Sequence, residues 1–124
     1  NHCPLATVTT DASLYWWGAF TTEQTFSGIW TTQEARLHIN LLELEAVMQA
    51  VKAMTPIPQG KSLTVFSDNT TTIAYINRQG GTLSPSLCQK ACDFLQWCRS
   101  HDIVVRASHI AGKDNILADA LSRG

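Results

Sequence analysis

Apolar residues recur with two different periods along the 124-residue chain, and the switches between them outline its elements. Residues 5–11 carry the run Thr-Val-Thr-Thr, with Val8 and Thr10 facing one way and Thr9 and Asp11 the other, which predicts a strand ending at Asp11. Trp16 to Phe20 and residues 25–30 read as two more strands, joined by the polar turn 21–24, so the first third is an antiparallel meander. The aromatics Trp16, Trp17, Phe20, Phe26 and Trp30 are expected to pack on its faces. A helical period takes over at residue 40, where Leu44, Val47, Met48, Val51 and Met54 recur at three- and four-residue steps until Pro56 stops the run. Asn40 is placed to cap this helix.

Beyond the Pro-Ile-Pro-Gln-Gly linker at 56–60, residues 63–68 alternate as a fourth strand ending at Asp68. Residues 69–79 read as a helix ended by Gly80-Gly81. Ser84-Pro85 opens another helix, with proline in its favoured first position. Its predicted apolar stripe is Cys88, Ala91, Cys92, Leu95 and Cys98. Residues 103–107 form a fifth strand and residues 115–122 a last helix. The order βββαβααβα, with strands four and five each entered by way of a helix, predicts an α/β fold: a mixed five-stranded sheet with helices packed on it.

Composition narrows the picture in three ways. At 124 residues and 44% hydrophobic, the chain fits a single domain over residues 1–124 with a real core. Its start at Asn1 and its end at Arg123-Gly124 lead to the expectation that it belongs to a longer protein. No apolar run reaches membrane-spanning length, so no membrane partner is expected. Nine basic against ten acidic residues give a formal charge of −1, too little positive field to hold nucleic acid unaided. The cysteines read as core thiols of an intracellular protein. A zinc site from Cys98 and His101 lacks the CxxC pair such sites favour.

The acids are placed less evenly than their number suggests. On the wheel of the first helix, Glu45 shares a face with Gln49 and Lys52, whereas Glu43 shares one with Val47, Ala50 and Met54 and points toward the core. A carboxylate there is either at the rim of the apolar stripe or paired, hydrogen-bonded or metal-bound. Asp11 and Asp68 end two strands, and Asp119 rides the last helix. In a mixed sheet, sites gather at such strand ends, so the four can converge. Crowded carboxylates repel unless cations lie between them, and all-oxygen ligands select Mg²⁺ or Mn²⁺. Two such ions make a phosphoryl-transfer clamp, which points to nuclease chemistry. Asp68, just before a helix, is alternatively a cap.

Thr10-Asp11-Ala12-Ser13, Leu42-Glu43-Leu44, Ser67-Asp68-Asn69, Ser108-His109-Ile110-Ala111-Gly112-Lys113-Asp114-Asn115 and Ala118-Asp119-Ala120-Leu121-Ser122-Arg123 occur in this order. Together they resemble the ribonuclease H domain of reverse transcriptases over essentially the whole chain. The closing motif is similar to that of gypsy and DIRS retrotransposons, and the segment Tyr75-Ile76-Asn77-Arg78-Gln79-Gly80-Gly81-Thr82 to that of DIRS elements. The resemblance implies a ribonuclease H-like fold and cleavage of the RNA strand of RNA/DNA hybrids, with two Mg²⁺ ions that Mn²⁺ can replace. It also implies a polymerase domain of the same polyprotein as partner. It assigns Asp11 to both metals, Asp119 to the ion that activates water, and Glu43 with Asp68 to the second ion. His109, ten positions before Asp119, matches the histidine that assists proton transfer or product release. Asn40 matches a position that touches the hybrid's minor groove, an alternative to its capping role. Asn115 braces the loop or contacts substrate. Arg78 and Lys113 are phosphate contacts or solvated charges.

Two features depart from cellular members of the family. No basic helix follows the second helix, and Ser13-Leu14-Tyr15-Trp16 replaces the glycine-rich turn after the first aspartate. Two rival readings share the fold. A connection-type domain that only positions nucleic acid would lack the acids, and an integrase or transposase core would usually end on Glu rather than Asp119.

Overall fold

The computed structural model describes residues 5–54, 58–78 and 84–110. Its elements are β1 (Leu5–Ala12), β2 (Trp16–Phe20), β3 (Thr25–Ile29), α1 (Ile39–Ala53), β4 (Ser62–Ser67), α2 (Thr70–Ile76), α3 (Pro85–Ser100) and β5 (Val104–His109), with one 3-10 turn at Glu34–Arg36. The expected last helix and the Gly80-Gly81 stop lie outside the described residues.

The strands form one mixed sheet in the order β3-β2-β1-β4-β5. The β1-β2-β3 meander is antiparallel, while β1·β4 and β4·β5 are parallel. This is the architecture that the element order predicts. Trp17 lies opposite Gly28 in the β2·β3 pair, and a Cβ on Gly28 would fall inside the Trp17 indole. Trp17 and Trp30 are buried as expected. The Trp30 indole nitrogen donates to the Ser13 carbonyl at 2.8 Å.

α1 packs on the sheet and on α3, and buries Leu42, Leu44, Ala46, Val47, Ala50 and Val51. That burial removes water from most of the helix circumference, which ties α1 to the sheet more firmly than helix propensity alone does. Its cap is His38, whose ring nitrogen accepts from the Asn40 amide at 3.1 Å, so Asn40 lies inside the first turn. Glu45 is also less solvated than the wheel predicts. It pairs with Lys90 of α3 and accepts from Gln49 at 3.2 Å, sealing the rim of the α1–α3 interface.

Along α3 the buried stripe is Leu87, Ala91, Phe94 and Cys98, and both Cys88 and Cys92 are exposed. The expected cysteine stripe is thus rotated by one residue, because Leu87 and Phe94 bury more apolar surface than thiols do. α2 ends at Ile76, three residues short of its predicted end. The Asn77 side chain leaves the helix to donate to the Ala107 carbonyl and accept from the Ala107 amide, both at 2.8 Å, and Arg78 then takes a positive φ of 58°. Those two bonds fill the outer edge of β5 at Ala107. Among the described residues, no helix is long and apolar enough to cross a membrane.

Candidate active site

The parallel register brings the acids together. β1 and β4 pair from Leu5↔Ser62 to Thr9↔Phe66, and the same offset sets Asp11 level with Asp68. α1 crosses the sheet so that Glu43, on the same face as Val47, Ala50 and Met54, turns toward that strand end. One carboxylate oxygen each from Asp11, Glu43 and Asp68 lies within 4.8 Å of the other two. Asp11 and Glu43 are 6% and 5% exposed, so two of the three acids have left bulk water. Asp68 stays accessible to solvent. Among the described residues this is the one cluster of metal-ligating side chains, and Cys98 with His101 is not part of it.

The helix starts around the cluster explain why Asp68 is available. The capping role open to Asp68 falls to Asn69, whose Oδ1 accepts from the Thr72 amide at 2.8 Å. The amide of Asn69 donates to the Asn40 Oδ1 at 3.0 Å, tying the first turn of α1 to the start of α2. Its backbone N–H donates to the Ser67 hydroxyl at 3.1 Å. Asn69 thus braces the two elements that carry Glu43 and Asp68. The signal was in the sequence: an Asn directly before Thr-Thr-Thr is a strong cap.

Electrostatics sets what the arrangement can do. Two ionised carboxylates at that spacing repel by about 3 kcal/mol at an effective dielectric of 20. A third acid multiplies the cost, and a hard divalent cation among the oxygens reverses its sign. Among the described residues the donor set is oxygen only, with no thiolate or imidazole in it. The residues present therefore fit Mg²⁺ or Mn²⁺ and do not fit zinc.

His109 is the last residue of β5 rather than part of a loop, because β5 keeps pairing to the end of β4. It lies opposite Ser67, and the Ile110 amide donates to the Ser67 carbonyl at 3.0 Å. The exposed imidazole is thus carried at the same sheet end as Asp68. Arg78 is exposed past the end of α2, at the level of Ala107. Lys113, Asn115 and Asp119 lie outside the described residues.

The turn after β1 is built by Ser13 in place of glycines. Its hydroxyl accepts from the Tyr15 and Trp16 amides at 3.3 and 3.1 Å, and its own amide donates to the Trp16 carbonyl at 2.9 Å. Leu14 and Tyr15 project from it, 52% and 69% exposed. His101 is engaged elsewhere, stacked on Trp97 with ring centroids 4.2 Å apart. Burial pushes the Cys98 thiol up from its ordinary 9.0 to about 12, against a smaller opposite pull from Lys52.

No protein-family model matches the sequence, and no curated protein matches it. Solved structures do. RNase H1 from the halophilic archaeon Halobacterium salinarum NRC-1 superposes with a TM-score of 0.75 at 17% identity, over 96% of this chain and 95% of that one. LC11-RNase H1, solved in complex with RNA/DNA hybrid, gives 0.76 at 14% identity over 96% and 93%. The foamy viral protease-reverse transcriptase in complex with RNA/DNA hybrid matches over 98% of this chain but 20% of its own length, with a TM-score of 0.58 at 14% identity. The mixed five-stranded sheet and the helices packed on it therefore constitute a ribonuclease H-like fold.

Proposed function

We propose that this chain is a metal-dependent ribonuclease H that cuts the RNA strand of RNA/DNA hybrids during reverse transcription of a retroelement, of the DIRS class by its motifs. The observation that carries the reading is the convergence of Asp11, Glu43 and Asp68, distant in sequence, to within 4.8 Å at one sheet end. Two similar structures hold RNA/DNA hybrids, one of them a reverse transcriptase, which supports the choice of substrate and of a polymerase domain as partner. The protein would then work inside the host cell.

Asp11, Glu43 and Asp68 would hold Mg²⁺ or Mn²⁺, with Asp119 completing the set as the sequence resemblance implies. Bound there, two divalent ions would supply activation of the attacking water and charge stabilisation of the leaving oxygen. The chain's own residues set the rest. Burial of Asp11 and Glu43 keeps their carboxylates in fixed positions and out of competition with bulk water. Asp68, at the accessible side, faces the incoming phosphodiester. His109, exposed beside it, is placed to pass a proton or assist product departure. Asn40, held by Asn69 at the start of α1, would read the 2′-hydroxyls in the minor groove, with Arg78 and Asn115 as further substrate contacts. Water adds to phosphorus in line as the 3′ oxygen departs and takes a proton, which leaves 5′-phosphate and 3′-hydroxyl ends. The retention of these acids argues against a connection-type domain that only positions nucleic acid.

The test is cleavage of an end-labelled RNA/DNA hybrid by the wild type and by Asp68→Asn, with and without Mg²⁺. Cleavage of the RNA strand by the wild type with Mg²⁺, lost without the ion and reduced at least about 100-fold in the variant, is the expected result. Equal activity in both proteins removes Asp68 from the site. Absence of any cleavage by a folded wild type overturns the nuclease reading.

A further inference from the structure

A second charged feature lies away from the acids. A groove of about 740 Å³ runs along the outer edge of β5 between the C-terminal ends of α2 and α3. Among the described residues, its lining carries Arg78, Arg99 and Arg106 against one acid, Asp102. One third of the nine basic residues of a chain with net charge −1 thus meet in one groove. All three arginines are exposed, and among the described residues none forms an ion pair.

The backbone at the groove's ends is unusual in the same place. Arg78 and Asp102 are the non-glycine residues with positive φ among the described residues, at 58° and 59°. Each follows a helix C-cap, Asn77 or His101, at the position where glycine is the least strained choice. Charged side chains stand at both positions instead.

We propose that this groove binds a phosphodiester strand: the stretch of nucleic acid leaving the acid cluster, several nucleotides from the cut. The inference rests on the nuclease reading for where that strand comes from, not for the groove's chemistry. Two observations favour a phosphate backbone over an extended peptide. Asn77 already occupies both backbone groups of Ala107, so an added strand cannot pair there and recognition falls to the guanidinium forks, which match phosphate oxygens. The groove also ends at the strand end that carries the proposed active site. Its lining reaches Ser108, which pairs with Phe66 two residues before Asp68, and extends back to Val104, a run of roughly 13 Å at the usual strand rise. That length accommodates several successive phosphates of one strand.

The test measures binding of the full chain, with Asp68→Asn in every protein to prevent cleavage, to a fluorescent RNA/DNA hybrid by anisotropy over a series of salt concentrations. Each of Arg78→Gln, Arg99→Gln and Arg106→Gln should make the negative slope of log affinity against log salt shallower by about one, and the triple variant should weaken binding about tenfold or more. Arg36→Gln, an exposed arginine outside the groove, should leave the slope unchanged. A thermal melt of each variant separates lost contacts from lost folding. An unchanged slope in a folded triple variant overturns the inference, and so does an equal shift from Arg36→Gln, which would mean diffuse charge alone. Retained hybrid binding with lost binding of polyglutamate also overturns it and makes the groove a peptide site. The expected slope changes in these Asp68→Asn proteins, with no cleavage by the folded wild type, sink the nuclease reading and leave the groove standing.

Discussion

Glu43 and Glu45 sit two residues apart on one helix and have opposite environments. Glu43 meets Asp11 and Asp68, whereas Glu45 meets Lys90 and Gln49. Glu43→Gln should therefore reduce hybrid cleavage by two orders of magnitude or more while the protein stays folded. Glu45→Gln should keep its activity and lose on the order of 1 kcal/mol in urea unfolding, the scale of a partly exposed ion pair. Comparable losses of activity would remove Glu43 from the metal set. Cys98 gives a pH signature of a different kind. Its folded pKa of about 12 exceeds the 9.0 of an exposed thiol, so its contribution to stability is fully present below pH 9 and drains away as pH rises toward 12. Cys98→Ala should flatten the alkaline limb of the stability profile. An unaltered limb would show that other groups govern it.

At the scale of elements, much of the design is readable from the chain, and the misses share a cause. The meander is visible because its strands alternate and its turns are polar. α1 is visible because fifteen residues keep one period without glycine or proline. The acids are visible because strand ends and helix faces follow from those elements. What local pattern cannot supply is the competition between an element and its tertiary partners. α2 stops early at Asn77, whose backbone N–H caps the helix while its side chain bonds both backbone groups of Ala107 in β5. β5 runs on to His109 because β4 offers partners that far. The stripe on α3 follows Leu87 and Phe94 because volume, not thiol hydrophobicity, decides which face packs. Arg78 follows α2, Arg99 lies in the last turn of α3 and Arg106 lies on β5, so only the fold brings all three to one groove.

For the molecule as a whole, the acid cluster is a local destabilisation that the rest of the fold sustains. Ionised carboxylates within 4.8 Å repel one another when no cation lies among them, and a cation that binds only the folded state stabilises it by mass action. Mg²⁺ at about one hundred times its dissociation constant would add about 2.7 kcal/mol and raise the melting temperature accordingly. Asp68→Asn should melt above the wild type without Mg²⁺ and should lose most of the Mg²⁺-dependent rise. A melting temperature indifferent to Mg²⁺ in the wild type would sever the cluster from cation binding. The sheet order has a further consequence, in time. The β1-β2-β3 half closes from residues near in sequence, whereas β1 cannot meet β4 until the chain between them is made and folded, a slow kind of contact. Asp11 and Asp68 belong to opposite sides of that late junction. On a ribosome, the meander forms first with β1's second edge bare, and the cluster exists only after β4 has closed it. A nascent or truncated chain thus carries no assembled acid cluster, and its bare β1 edge is where nascent chains would pair with one another.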